Sequence, residues 1–378
     1  MALARLAELA QSYFDLRWHL DPVAGSRAGV THYDDRFGRF ATEALRPHLA
    51  AIKSLMSALE ELEPADLDDE IDRTALLNDA RVALYRCERE QVFARDPGQW
   101  VQRVIDGLSV VREPAALLGR LGDLPAFLDD ARAALVDPVG LFAVSALELV
   151  PQAERMVRQA AAAAGAPAEL ERDALSALVA LRADLERWTQ GGPGRFAVGE
   201  DGFNFHVHYE HALRDTAPEL WRYGHRLVDE LKAGTTVAGQ DAAAVPELAV
   251  PPEASLVRRM IHAPLTVDGW ALYRDPRPER LLRHAVGVLL DVGVHTRGMS
   301  VAEGAELLQS HLDVDRAAAE TLVRRTAAAP TYALTAAVGR RDLLALRAAY
   351  SGPGFHEAVS PYGALPVSLI RWGLGLGE

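Results

Sequence analysis

Residues 43–62 read EALRPHLAAIKSLMSALEEL, and this stretch shows the pattern that recurs along most of the chain. Its apolar side chains return every three or four positions, at Leu45, Leu49, Ile52, Leu55, Met56 and Leu59. That spacing places them on one face of an α-helix, because the helix turns once every 3.6 residues. The stretch therefore predicts an amphipathic helix that buries this face in a core.

The same periodicity extends outward along the chain, whereas the period-two alternation typical of strands is scarce. Further helices are predicted at 70–92, 114–135, 143–163, 168–189, 216–232, 279–297, 300–311, 313–328 and 338–350. Asp66 and Asp69 are predicted N-caps before the second helix, and Ser300 with Glu303 forms a predicted capping box. The predicted fold class is all-α.

Two stretches rich in glycine or proline interrupt the helical pattern. Residues 190–202 are predicted to form a loop, and residues 234–252 an exposed linker. We expect a single domain over residues 1–378, with two sub-halves, 1–190 and 200–378, joined by the Gly-rich loop.

The charge balance argues against nucleic acid as a partner. The chain has 378 residues, a net charge of −13 and a pI near 5.4, whereas a phosphate-binding protein needs a basic surface. Cys87 is the single cysteine, so an intrachain disulfide and a cysteine-based zinc site are both excluded. Residues 1–17 carry charges and lack a continuous apolar run, so we expect no signal peptide, no membrane segment and a cytoplasmic location.

Several segments, in the right order, resemble the bacterial domain-of-unknown-function family 885 (DUF885). Gly269–Tyr273 reads GWALY and is similar to the family's EGWALYAE, while Asp291–His295 resembles its D-T-G-x-H. Further matches are Arg325, Pro330, Gly339, Leu346-Arg347, and Phe355-His356-Glu357 followed by Gly363–Pro366. The resemblance covers nearly the whole chain. It implies an elongated, all-α, metallopeptidase-like domain with a central cleft.

The chain departs from the family at the residues that would bind zinc. The family carries HExxxGHH before the GWALY segment, but here the interval 231–268 holds only one histidine, His262. The glutamates flanking GWALY are replaced by Asp268 and Asp275, and two tyrosine positions hold Thr326 and Ala336. A gluzincin site needs paired histidines and a glutamate on one helix. The sequence therefore predicts a divergent, shortened member that is not a standard zinc peptidase.

A histidine-rich segment, FNFHVHYEH at 203–211, is the richest remaining cluster of metal-binding side chains. A helix would place His208 and His211 on one face, whereas a strand would pair His206 with His208. With Asp268 from another helix, these histidines are candidate ligands for a newly acquired divalent metal. The alternative is a half-buried segment with no ligand, and no other cofactor is indicated.

Asp291 and His295 are four residues apart on one predicted helix, so a carboxylate could orient the imidazole as a base. The alternative is a buried pair that stabilises the helix. Arg325 is a candidate for binding a substrate carboxylate, with a surface ion pair as the alternative. Trp270, Tyr273 and Asp275 are candidates for lining the substrate cleft, although the two aromatic residues also fit a core role.

These observations favour a repurposed enzyme, a hydrolase or a lyase, that acts on a small carboxylate- or amide-bearing molecule through His and Asp side chains. The alternative is a catalytically inactive protein that binds a small molecule, a short peptide or a protein partner. A residual peptidase with an unusual metal site is a third possibility. Nucleic acid and membranes are not expected partners, and the sequence specifies no oligomeric state.

Overall fold

The structure is a computed structural model that describes residues 2–234 and 245–377. No strand occurs in these ranges, and helices fill most of them, which confirms the predicted all-α class. The α-helices in chain order are α1 (Ala2–Leu20), α2 (Pro22–Arg27), α3 (Thr42–Glu60), α4 (Leu67–Glu88), α5 (Val92–Arg95), α6 (Pro97–Val110), α7 (Pro114–Ala134), α8 (Gly140–Ala164), α9 (Ala168–Thr189), α10 (Gly199–Phe205), α11 (Ala217–Lys232), α12 (Leu256–Met260), α13 (Pro264–Arg274), α14 (Pro278–Thr296), α15 (Val301–His311), α16 (Arg316–Ala328), α17 (Thr335–Ala349), α18 (Phe355–Val359) and α19 (Val367–Gly373). Short 3-10 helices at Thr31–Tyr33 and Ser360–Tyr362 and a π-helix at His206–Glu210 accompany them.

Two helices begin where the sequence predicts capping residues. Oδ1 of Asp66 accepts a hydrogen bond from the backbone N–H of Asp69 at 2.9 Å, at the start of α4. Ser300 and Glu303 form the predicted capping box of α15, with both reciprocal bonds present. From residue 114 onward, every predicted helix matches an observed one to within three residues at each end.

The structure differs from one of the two predicted interruptions and agrees with the described part of the other. The loop predicted at 190–202 ends earlier than expected, because α10 begins at Gly199 and makes the last four residues helical. In the predicted linker, residues 245–252 form no helix, while 235–244 lie outside the described residues.

The chain forms two compact units. Unit 1 comprises Met1–Ala10, Leu59–Val82 and Ala197–Glu378, and unit 2 comprises Gln11–Ala58 and Ala83–Phe196. The division at 196–197 falls in the Gly-rich loop that was predicted to join the two sub-halves. Two earlier stretches, residues 1–10 and 59–82, nevertheless belong with the C-terminal unit.

Unit 2 is built around an aromatic centre between α6 and α7. Trp100 is fully buried, and its ring centroid lies 5.3 Å from that of Phe127 and 5.5 Å from that of Phe40. Its indole N–H donates to the carbonyl oxygen of Phe93 at 3.1 Å, so the polar atom of this large side chain is satisfied inside the core.

Unit 1 contains a close helix crossing at which two glycines meet. A Cβ added to Gly269 of α13 would lie 2.5 Å from the carbonyl carbon of Gly339 of α17. A Cβ added to Gly339 would collide with the carbonyl oxygen of Leu265. The two backbones therefore touch, which only glycine permits without moving a helix.

Hydrogen bonds flank this crossing on both sides. Before it, the Thr335 hydroxyl donates to Oδ2 of Asp268 at 2.6 Å. After it, Nη1 of Arg347 donates to the hydroxyl oxygen of Tyr273 at 2.7 Å. The crossing thus brings two pairs of polar side chains together.

No helix within residues 2–234 and 245–377 combines the length and the apolar character needed to cross a bilayer.

The glycine crossing gives a direct stability prediction. Replacing Gly339 with Ala should destabilise the protein by about 2–3 kcal/mol or more, because the added methyl group overpacks a backbone contact that cannot yield locally. Equilibrium urea unfolding measures the loss.

Gly122→Ala is the matched control, because Gly122 is exposed within α7 and its nearest neighbour, Cδ1 of Leu170, lies 3.8 Å from an added Cβ. The free energy of unfolding of this variant should be roughly 0.5–1 kcal/mol higher, because alanine reduces the conformational freedom of the unfolded chain. Equal stability of Gly339→Ala and the native protein would show that the two helices are not held by this contact.

Candidate functional site

Asp291 is a fully buried carboxyl group on α14. Its Oδ1 accepts the backbone N–H of Thr331 at 3.0 Å, and its Oδ2 accepts that of Leu334 at 3.1 Å. Burial raises the pKa of Asp291 to about 7, although these backbone hydrogen bonds and the nearby His206 oppose the shift. The carboxyl group therefore holds the turn before α17 and titrates near neutral pH.

His295 lies one helical turn beyond Asp291 and is also buried. Its Nε2 is 3.8 Å from Oδ1 of Asp291, so the predicted pair is adjacent but not hydrogen-bonded. Nε2 lies 2.9 Å from the carbonyl oxygen of Thr326 and donates its hydrogen there. The imidazole is thereby oriented by the backbone of α16.

The histidine-rich segment is neither of the two predicted alternatives, a regular α-helix or a strand. It leaves α10 as a π-helix, and the backbone N–H of His211 bonds to the carbonyl oxygen of His206 at 3.2 Å. The wider turn directs His206 and His211 into the core, where both are fully buried, and leaves His208 exposed. Short π-helices are frequent at functional sites.

Both buried histidines have side-chain partners. Nδ1 of His206 lies 2.7 Å from Oε2 of Glu210, whose side chain is 9% exposed. Nε2 of His211 lies 2.9 Å from the hydroxyl oxygen of Thr331. The hydroxyl of Tyr332 donates to the other oxygen of Glu210 at 3.2 Å.

Three separate segments of unit 1 therefore converge in one polar network, which we call the Asp291 cluster: His206, Glu210, His211, Asp291, His295 and Thr331. Thr331 and Tyr332 were not predicted as site residues, and they carry no local pattern beyond following Pro330. Thr331 has a φ of +67°, a left-handed conformation that is unusual for a β-branched residue. Such strain persists only where surrounding contacts enforce it.

The four candidate metal ligands are not arranged as a set. His208 points to solvent while His206 and His211 are buried, and Asp268 accepts the Thr335 hydroxyl. Among the side chains that the structure describes, no group of three or more His, Cys, Asp or Glu residues is placed to hold a metal ion. His262, the single histidine in the interval that carries the zinc motif in the family, is exposed. The residues present do not fit the family's zinc.

The other candidates lie apart from the Asp291 cluster. Arg325 is exposed on α16. Asp275 ends α13 and pairs with Nη1 of Arg280 at 2.6 Å, and hydrogen bonds from neighbouring guanidinium groups lower its pKa. Trp270 and Tyr273 are both buried, with ring centroids 5.8 Å apart. The central cleft that these residues were expected to line stays a prediction.

Asp291 provides a pH-dependent stability prediction. Its folded-state pKa lies above the ordinary value of 3.8, so the native protein binds more protons than the unfolded chain between about pH 4 and about pH 7. The contribution of Asp291 to stability therefore falls as the pH rises through this window, by up to about 1.4 kcal/mol per pH unit. Asp291→Asn should remove this slope, as measured by urea unfolding across the window.

The variant will also lower stability at every pH, since the amide nitrogen that replaces one carboxyl oxygen cannot accept a backbone hydrogen bond, so the slope is the diagnostic quantity. Asp313→Asn, at an exposed position before α16, should leave the slope unchanged. If Asp291→Asn keeps the native slope, Asp291 does not titrate near neutrality.

The sequence and the fold were compared with those of known proteins. Residues 248–373 match the family model described as "Bacterial protein of unknown function (DUF885)". No curated protein matches the sequence.

Two solved structures share the fold over nearly the full length of both chains. One is described as a "putative lipoprotein of unknown function" from Shewanella oneidensis, with a TM-score of 0.74, 15% identity, and coverage of 98% of this chain and 99% of that one. The other, described as a "putative lipoprotein" from Colwellia psychrerythraea, has a TM-score of 0.70, 10% identity and 99% coverage of both. At these identities the likeness concerns the fold alone. The predicted resemblance to the bacterial family of unknown function DUF885 is thus confirmed by the family-model match over residues 248–373.

Proposed function

We propose that the protein is an enzyme that acts on a small carboxylate- or amide-bearing molecule through acid–base chemistry at the Asp291 cluster, without the family's zinc. The observation that carries this proposal is the fully buried Asp291 carboxyl group, whose pKa is raised to about 7 beside His206. Ionisable groups tuned toward neutrality concentrate at catalytic sites, because proton transfer is most effective when the pKa matches the working pH.

Two further features of the same network support a functional site. The π-helix at His206–Glu210 turns two histidines inward, and Thr331 holds a left-handed backbone conformation. Each feature costs free energy that a purely structural segment could avoid. Their coincidence around one buried carboxyl group favours a role in chemistry.

Glu210 is the group best placed to meet a substrate. Its side chain is 9% exposed, whereas that of His206 is 1% exposed. The hydroxyl of Tyr332, a residue that is 38% exposed, donates a hydrogen bond that fixes one oxygen of Glu210. Glu210 would remove a proton from water or from a carbon next to a carbonyl group, the first step of a hydrolase or a lyase. His206 would orient Glu210 through its Nδ1, and Asp291 would stabilise positive charge on that imidazole.

A catalytically inactive binding protein is the second candidate function. The observation in its favour is that both oxygens of Asp291 and Nε2 of His295 are bonded to backbone groups. In that case the Asp291 cluster would only hold the turn before α17, and its variants would lose stability without affecting any turnover. A small molecule, a short peptide or a protein would then be the partner.

The cellular compartment is a separate question. The sequence predicts the cytoplasm, whereas the two structural relatives described as "putative lipoprotein" favour a location outside it. Fractionation of cells that express the full chain distinguishes a cytoplasmic location from one outside the cytoplasm.

Glu210 provides the test of the enzyme proposal. The native protein should turn over at least one compound in a panel of N-acyl amino acids, carboxamides and short peptides. Glu210→Gln keeps the side-chain size but removes the base, so kcat should fall by about 100-fold or more. Product formation is measured by mass spectrometry.

Glu200→Gln, at an exposed position in the first turn of α10, is the matched control and should keep native kcat. No turnover across the panel, with a folded native protein, would favour the binding function. Turnover that survives Glu210→Gln would exclude Glu210 as the base.

A further inference from the structure

Arg347 on α17 differs from most half-buried arginines of this acidic chain. The chain has 53 Asp and Glu residues against 40 Lys and Arg, and its partly buried arginines are typically ion-paired. Such pairs are Arg103 with Asp21, Arg258 with Asp72, Arg280 with Asp275 and Arg341 with Asp215. Within the described ranges, Arg347 has no carboxylate within ion-pair distance.

Neutral groups hold Arg347 in place. Its Nη1 donates to the hydroxyl oxygen of Tyr273 at 2.7 Å, and its guanidinium carbon lies 5.9 Å from the ring centroid of Phe355. Tyr273 is buried, so this anchor is rigid. Arg347 is only partly buried, so its side chain keeps some accessible surface.

His356 adds a second polar group at the same place. The hydroxyl of Tyr273 lies 3.3 Å from Nε2 of His356. Because Arg347 already donates to the phenolic oxygen, the phenolic hydrogen is available to this nitrogen. Burial and the charge of Arg347 lower the pKa of His356, which favours the neutral imidazole that can accept it.

Aromatic rings border the polar groups. Trp270 and Phe355 have ring centroids 5.7 Å and 5.3 Å from that of His356. Tyr350 and Phe355 lie 5.8 Å apart and are both partly exposed. A fixed, uncompensated guanidinium group beside aromatic surface suits an anion that carries a flat or apolar group.

We propose that Arg347, Tyr273 and His356 form a recognition site for the carboxylate of a small molecule that also carries an aromatic or apolar group. A guanidinium group presents N–H donors in a plane that matches the two carboxylate oxygens. Tyr273 and Phe355 restrict Arg347 before the ligand arrives, which reduces the entropy lost on binding. In this proposal Arg347, and not the exposed Arg325, binds the carboxylate.

The inference deepens the proposed function, since it names the group by which a substrate would be recognised, and to that extent it rests on that proposal. Binding of a carboxylate requires no turnover, however, so the two can fail separately. Loss of activity in Glu210→Gln tests the chemistry, and equilibrium binding at Arg347 tests recognition.

Benzoate is a suitable probe, with benzamide as its uncharged analogue. The full-length protein is titrated with each compound while NMR follows the side-chain N–H signals of Arg347 and Trp270. Benzoate should shift both signals saturably, and benzamide should bind at least about tenfold more weakly because it lacks the charge. Equal shifts with both compounds would overturn a carboxylate site.

Arg347→Met and Arg325→Met are the matched pair of variants, because each removes one helical arginine. We expect Arg347→Met to weaken benzoate binding by about tenfold or more and Arg325→Met to leave it within about twofold. The reverse pattern would return carboxylate recognition to Arg325 and refute the proposal.

Tyr273→Phe keeps the ring and removes only the anchoring hydroxyl, and so provides a second test if Arg347→Met does not fold. It should weaken benzoate binding by a few-fold, since Arg347 loses its orienting partner. Unchanged binding in both a folded Arg347→Met and Tyr273→Phe would sink the inference, whether or not Glu210→Gln loses activity.

Discussion

The contact between Gly269 and Gly339 is the constraint on which the organisation of unit 1 depends. Two helix backbones meet there with no side chain between them. The distance between α13 and α17 is thereby fixed by backbone atoms, which are far less adjustable than side chains. Residues on either side of the crossing, Asp268 with Thr335 and Tyr273 with Arg347, consequently meet at hydrogen-bonding distance. Thr335 also connects the crossing to the turn before α17, which contacts Asp291. Its hydroxyl oxygen lies 2.8 Å from the carbonyl oxygen of Tyr332 in that turn.

The Asp291 cluster balances opposing contributions to the free energy of folding. Hydrogen bonds to a charged group contribute roughly 1.5–3 kcal/mol each, and Asp291 accepts two from the backbone. Burial nevertheless raises its pKa to about 7, so the cost of desolvating the carboxylate outweighs the stabilisation of its charge by these hydrogen bonds. Thr331 adds backbone strain of about 1–2 kcal/mol, which a glycine would not incur. In place of a glycine, the threonine provides a hydroxyl group that bonds to His211.

The sequence predicted those features that depend on local periodicity. The helices from residue 114 onward and the capping box at Ser300 are local, so a single chain segment suffices to specify them. The adjacency of Asp291 and His295 is local as well, because four residues make one helical turn. Their hydrogen bonds lead elsewhere in the fold, and no spacing within α14 could reveal those partners.

The features that sequence reasoning missed depend on long-range contacts. Arg325 and Arg347 both lie in helices and both match family motifs, so sequence alone could not distinguish them. The fold leaves one exposed and anchors the other on Tyr273, a residue 74 positions away. Thr331 and Tyr332 likewise acquire their partners only when the turn after α16 meets α14 and the π-helix.

Because of the π-helix, the geometry of the site depends on the number of residues between its side chains as well as on their identity. His206 and His211 point inward together because they are five positions apart, the span of one wide turn. Deleting any residue between them would allow a regular α-helix, in which each residue advances by about 100° around the axis. A deletion among residues 207–209 would then place Glu210 three positions after His206 instead of four, and would disturb its contacts with His206 and Tyr332. Insertions and deletions at 206–211 should therefore be far rarer among functional relatives than substitutions at the exposed His208.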